Sequence, residues 1–159
     1  MLDRGLSTTA LDTPIGRLWL SGTDAGLRSI LRAEQPHESI ILADQGALDG
    51  AVRQLQEYFA GSRRAFDLRI DLDGASSFDA AVYRAAMTIP FGQTASYRDV
   101  AVIAGSPRAA RAVGGAMARC PLFPVVPCHR VIHADGSIHG WGRELWVKRW
   151  LLRHEGWRG

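Results

Sequence analysis

Cysteine is scarce in this chain. Only two thiols, Cys120 and Cys128, occur in 159 residues, too few for a disulfide framework or a four-thiolate metal site. Long apolar runs are absent as well, and none approaches the ~20 residues needed to span a bilayer. The start, Met1-Leu2-Asp3-Arg4-Gly5, has neither the basic segment nor the apolar stretch of a secretion signal. A reducing cytoplasm is therefore the expected home. Lysine is nearly missing, since 18 of the 19 basic residues are arginine. Acidic residues are few in the second half. Residues 1–75 hold 8 Arg against 11 Asp or Glu, a net −3, whereas residues 76–159 hold 10 Arg and 1 Lys against 5, a net +6. A basic half suits a polyanionic partner, although solvated arginine on a biased composition would look the same.

What remains is enough apolar content for one domain or two small ones. Leu18-Trp19-Leu20 and Leu27-Arg28-Ser29-Ile30-Leu31 are strand-like, with a hairpin turn at Gly22-Thr23-Asp24-Ala25-Gly26. Pro14-Ile15-Gly16 marks an earlier turn after a strand near Leu6–Leu11. Residues 33–47 lack a period and read as a surface loop. Leu48, Val52, Leu55 and Phe59 share one face of a helix that Gly61-Ser62 stops. Phe66 to Leu72 alternates without a break, which predicts a half-buried strand. Residues 1–74 thus read as a small antiparallel sheet plus a helix. No catalytic constellation lies there, so this region is expected to brace the rest.

Asp73-Gly74-Ala75-Ser76 is the predicted boundary, and residues 75–159 form the second domain. Phe78, Ala81, Val82, Ala85, Ala86 and Ile89 trace a helical stripe with Ser77 as N-cap, ended by Pro90 and Gly92. Ser96-Tyr97-Arg98-Asp99 has the form of a capping box opening a short helix through Ala104. Gly105-Ser106-Pro107 is a tight turn, with Ser106 as N-cap and Pro107 as first residue of a second helix running to about Arg119. Helix, three-residue turn, helix is the helix-turn-helix pattern. Ala109, Ala110, Ala112, Gly114, Gly115 and Ala116 give the second helix very short side chains. Such a face can pack on another helix or enter a narrow groove with Arg108 and Arg111 projecting.

The stretch around which the chain is organised follows. Phe123-Pro124-Val125-Val126 reads as a strand that carries a lone thiol to its end, in Pro127-Cys128-His129-Arg130-Val131. Basic neighbours raise the thiolate fraction of a cysteine, and the thiolate is the nucleophile. Ile132 to Ile138, around Asp135-Gly136, predicts a hairpin or wing. His139-Gly140-Trp141-Gly142 predicts a flexible loop. Leu145 to Glu155 is the last helix, with Val147, Trp150, Leu151 and His154 on one face. A carboxylate at a helix C-terminus is disfavoured by the macrodipole, so Glu155 should have a specific partner or be frayed. Cys128, His129 and Glu155 could form an activated-nucleophile set. Adjacent residues on a strand point to opposite faces, so Cys128 and His129 would need a bend or a bridging water.

The Pro-Cys-His-Arg-Val stretch resembles the active-site signature of the O6-alkylguanine-DNA alkyltransferases, also called methylated-DNA–protein-cysteine methyltransferases. Ile89-Pro90-Phe91-Gly92, Thr94-Ala95-Ser96-Tyr97, Arg111-Ala112-Val113-Gly114 and Trp150-Leu151-Leu152-Arg153-His154-Glu155 are similar to the family's other landmarks, in the same order, across roughly residues 76–156. The resemblance implies an α+β architecture ending in a winged helix-turn-helix domain. It implies that Cys128 takes an alkyl group from O6 of guanine in duplex DNA, irreversibly and once. His129 would accept the thiol proton through a water, held by Glu155. Arg111 would fill the space of the flipped base, and Tyr97 would rotate its phosphate and donate to the purine. Arg108, Ala110, Ala112 and Gly114 would meet the minor groove. Met117, Val131, Trp141 and Gly142 would line the substrate pocket. A monomer without cofactor or metal is expected.

Two departures stand out. Cys120-Pro121 occupies the place of the family's usual Asn-Pro pair, and a thiol bonds more weakly than an amide. Trp141 replaces a usual tyrosine, and Arg143-Glu144 replace glycines, which implies a bulkier pocket lid. Other readings are a metal site from Cys120, Cys128, His129, His133 and His139, a thiol hydrolase, and a winged-helix protein that binds alkylated DNA without transfer. The first lacks any CxxC pair.

Overall fold

The computed structural model describes residues 6–34, 46–138 and 144–159. It divides into two compact units, Met1–Asp73 and Gly74–Gly159. None of the helices among the described residues is long and apolar enough to cross a membrane.

The first unit is an antiparallel meander of β1 (Ser7–Thr13), β2 (Gly16–Thr23) and β3 (Gly26–Arg32), followed by α1 (Asp49–Phe59). Register pairs Leu11 with Leu18 and Leu20 with Ile30. All four side chains are buried. β2 is covered on both faces, because Trp19 is buried too and its indole donates to the Ala33 carbonyl at 2.9 Å. α1 buries Ala51, Leu55 and Tyr58 and stops before Gly61 at φ +84°.

The predicted strand at residues 66–72 is a correction. Its alternating burial holds from Phe66 to Ile70 and breaks at buried Asp71, and it pairs with the sheet at one bridge only, Leu27 with Ile70. Part of its backbone bonds a side chain instead: buried Gln54 donates to the Asp67 carbonyl at 3.0 Å and accepts from its amide at 2.8 Å. The close approach also demands Gly26, where a Cβ would lie 2.5 Å from the Arg69 carbonyl oxygen.

The second unit begins with α2 (Ser77–Ala86). Its N-cap is Ser76, whose hydroxyl accepts from the Asp79 amide, so the predicted cap at Ser77 is one residue late. β4 (Ala95–Ser96) pairs in parallel with β5 (Val131–Ile132), and α3 (Tyr97–Ile103) starts at a complete Ser96/Asp99 capping box. α4 runs from Ala110 to Ala118. Ser106 and Pro107 do not start it, contrary to expectation: they form a separate turn closed by Ala109 N–H to the Ser106 carbonyl, and Ala109 is the cap residue. A buried Tyr83 hydroxyl donates to the Ala116 carbonyl at 3.0 Å, and Arg119 pairs with Asp79 at 3.0 Å, fastening α4 to α2.

Residues 123–126 are turns rather than a strand, and Cys128–Arg130 is a 3-10 turn. Two prolines in this run remove backbone donors and restrict their neighbours, which defeats a regular ladder despite the β-branched composition. The wing turn is closed by His133 N–H to the Ser137 carbonyl and Gly136 N–H to the His133 carbonyl. α5 (Leu145–His154) buries Val147, Lys148, Leu151 and Leu152. Trp150 and His154 are half-buried and stack on each other at 4.8 Å, so the predicted core face is rotated.

Candidate active site

The thiol turn makes the bend that the sequence required. Pro127 sits at ψ 60°, and the Cys128 amide donates back to the Val126 carbonyl at 2.8 Å. In a 3-10 turn successive side chains leave the axis about 120° apart, so Cys128, His129 and Arg130 take three directions instead of two. All three are buried. The expected thiol strand would have held His129 and Arg130 on opposite faces; the turn lets both meet one carboxylate.

That carboxylate is Glu155, the cap residue of α5. Its Oε1 is 2.9 Å from His129 Nε2. Arg130 donates to it as a fork, Nη2 to Oε1 at 2.7 Å and Nε to Oε2 at 2.9 Å, and sends Nη1 to the Ile89 carbonyl at 2.7 Å. A negative end at a helix C-terminus thus has a buried cation to answer it. Burial pushes the Glu155 carboxyl up, but hydrogen bonds and charge from His129 and Arg130 hold it down at about 2. Burial lowers His129, outweighing the pull of Glu155. At neutral pH the imidazole is therefore neutral beside a charged carboxylate. The carboxylate only accepts, so Nε2 carries the proton and Nδ1 keeps a lone pair. Nδ1 is buried and has no hydrogen-bond partner among the described residues. It is a base site aimed into the protein.

Burial pushes the Cys128 thiol well up, and a hydrogen bond and charge from Cys120 push the same way; Lys148 opposes them. Lys148 was not anticipated from the sequence. It is wholly buried, donates from Nζ to the Val131 carbonyl at 2.6 Å, and lies 5.8 Å from the Tyr97 ring. Burial brings it down to about 8, against the Cys128 charge that raises it. A signal existed: it is the chain's one lysine, set on an apolar stripe.

Tyr97 opens α3, and the capping box holds it there. Its ring meets His133 at 5.1 Å, and a Cβ on Gly114 would touch it at 3.9 Å. Burial first, then the Cys128 charge, raises its hydroxyl. The structure thus brings Tyr97, Gly114, Lys148 and Val131 into the neighbourhood of the thiol. Val131 and Met117 are buried. Arg111 and Ala112 project from α4 into solvent, and Ala110 and Gly114 are half-exposed. Arg108 is exposed but belongs to the turn before α4. Trp141, Gly142 and His139 lie outside the described residues. In the sequence Arg130 is only part of a motif, and its part in holding Glu155 arises from the fold. Among the described residues no cluster of His, Cys, Asp or Glu could hold a metal ion.

A family model described as "6-O-methylguanine DNA methyltransferase, DNA binding domain" matches residues 77–157. Its companion, the "ribonuclease-like domain" of the same methyltransferase, matches residues 6–72. A methylated-DNA–protein-cysteine methyltransferase of Mycobacterium tuberculosis is 44% identical over 91% of this chain and 89% of its own length. A DNA base-flipping protein of Thermus thermophilus is 42% identical over 92% of this chain and 97% of its own. Among solved structures, Mycobacterium tuberculosis OGT in complex with DNA is similar at a TM-score of 0.83 and 42% identity, over 95% of this chain and 92% of that one.

Proposed function

The chain belongs to the 6-O-methylguanine DNA methyltransferase family, and from that premise we propose that Cys128 is the residue that takes the alkyl group. The protein is a DNA repair methyltransferase that moves an alkyl group from guanine in DNA onto one of its own cysteines. The observation that carries the assignment is the Glu155 carboxylate shared by His129 and Arg130. It leaves a neutral imidazole with a free Nδ1 lone pair next in sequence to the only fully buried thiol among the described residues.

The steps follow from these residues. An O6 substituent inside a stacked base pair is out of reach of a buried sulfur, so the guanine must turn out of the duplex. Arg111, exposed on a helix of short side chains, takes the vacated space, and Ala110, Ala112 and Gly114 let the helix backbone approach the minor groove. Tyr97, at the start of α3, turns the phosphate. His129 Nδ1 receives the Cys128 proton through a water. Arg130 keeps Glu155 ionised, so that the resulting imidazolium has an anion beside it. Lys148 favours the thiolate by charge. Sulfur attacks the alkyl carbon, the carbon–O6 bond breaks, and its electron pair stays with guanine, which Tyr97 assists by donating to the purine. The product is a thioether. It is a poor leaving group, so each molecule acts once. Met117 and Val131 line the pocket. The working unit is a monomer, and two free thiols suit a reducing compartment.

Intact-mass measurement after incubation with duplex DNA carrying O6-methylguanine tests this. One added methyl per molecule, mapped to Cys128, is the expected result, with none on Cys128→Ser. Binding without an adduct would return the protein to the non-transferring reading, and repeated turnover at unchanged mass to a hydrolase.

A further inference from the structure

Away from the thiol, the second unit has a cavity of about 530 Å³ between the wing turn and the end of α5. Its lining includes Gly136, Ser137, Arg149, Arg153, Trp157 and Arg158. The volume is in the range of ligand sites. Arg149 and Arg153 stand one turn apart on the same face of α5, and Arg158 comes from the tail that follows. Among the described residues none of the three guanidiniums has an ion-pair or hydrogen-bond partner. No Asp or Glu lines the cavity. Of the two carboxylates beside the lining in sequence, Asp135 is engaged by the Ser137 amide at 2.9 Å and its hydroxyl at 2.6 Å, and Glu155 by His129 and Arg130.

Three unpaired guanidiniums around one concavity repel each other unless an anion sits among them. The C-terminal end of α5 contributes only about half a negative charge, which three positive groups outweigh. Guanidinium is the cation best matched to a phosphate, through paired N–H donors. The three are exposed, which suits the backbone of a long polyanion more than an enclosed small ligand.

We propose that this cavity holds a backbone phosphate of the bound duplex, gripped by Arg149, Arg153 and Arg158, as an anchoring point separate from α4. The site rests on the DNA reading for the identity of its polyanion, and on nothing in the transfer chemistry. It is a positional contact without base readout, and it would hold the duplex against the wing while a base is turned out.

The test is the salt dependence of binding to an undamaged duplex. Each neutralised phosphate contributes a slope of about 0.9 in log affinity against log salt. Arg149→Gln/Arg153→Gln should lower the slope by about one and weaken binding roughly tenfold at moderate salt. Its rate with free O6-benzylguanine should stay at the wild-type value, since neither residue touches the reacting groups. Arg53→Gln/Arg64→Gln removes the same charge from the first unit and should leave the slope alone. An unchanged slope in the first pair overturns the proposal, as does an equal fall in both pairs, which would report net charge only. Failure of the methyl adduct on Cys128 would be a separate result, visible by mass whatever the slopes.

Discussion

Lys148 Nζ donates to the Val131 carbonyl at 2.6 Å in a fully buried setting. This places an ammonium from α5 against the backbone that leaves the thiol turn. A buried lysine is expensive, and burial lowers this one to about 8. Its charge opposes the upward push on the Cys128 thiol, so its cost is coupled to the reactivity of the sulfur.

Below about 8 Lys148 is charged and supports the thiolate; above it the support fades while solvent pulls the thiol proton more strongly. The rate with free O6-benzylguanine should therefore rise with pH and flatten near 8. Lys148→Met should react more slowly at pH 7, because the thiol loses the one charge that favours its ionised form, and show no break near 8. A wild-type profile that climbs smoothly through 8 would count against the coupling.

Glu155 governs acid stability. Its folded value of about 2 lies below the ordinary 4.5. The stabilisation is thus complete above 4.5 and is lost as pH falls through 2, and it amounts to roughly 3 kcal/mol. Urea denaturation across that window should show the loss in wild type. In Glu155→Gln it should be absent, with stability at pH 7 lower by about 3–5 kcal/mol because Arg130 is left buried without an anion.

Arg111 is exposed on α4 and has no hydrogen bond or ion pair among the described residues. Arg111→Ala should keep the melting temperature. Repair of duplex DNA should slow by at least an order of magnitude, while reaction with free O6-benzylguanine, which needs no base flipping, stays the same. Equal losses on both substrates would remove Arg111 from that role.

Cys120 raises the Cys128 thiol through a hydrogen bond and charge. Cys120→Asn replaces that thiol with an amide donor able to stabilise a thiolate, so the reaction with O6-benzylguanine should quicken. The stronger hydrogen bond should also add about 1 kcal/mol of stability. A slower rate or a lower melting temperature would mean that the surroundings are built around the thiol. Cys120 itself should stay unalkylated when peptides are mapped.

Local chemistry was legible wherever one residue type has one physical use. The Ser96/Asp99 capping box and the helix ended at Gly61 are decided within a few residues, and the structure has them as read; the hairpin turn read over Gly22–Gly26 is there too, tightened to Asp24-Ala25. So is the thiol between proline and histidine, which is why the resemblance could be seen at all. Readings failed where a neighbour competed. Phe66–Leu72 has the alternation of a strand, yet Gln54 takes the Asp67 backbone groups and leaves one bridge. Phe123–Val126 has the composition of a strand, and Pro124 within it and Pro127 after it deny it the ladder.

Amino-acid order alone determined which groups can do chemistry here: one thiol beside an imidazole, a carboxylate at a helix end, arginines in place of lysine. Their meeting was decided in three dimensions. Glu155 is 26 residues from His129 and 25 from Arg130, and only the packing of α5 onto the 3-10 turn sets the carboxylate between them. The same packing buries Lys148 against Val131. No local preference predicts such contacts, because an ion pair or a shifted pKa belongs to a burial environment assembled from distant segments.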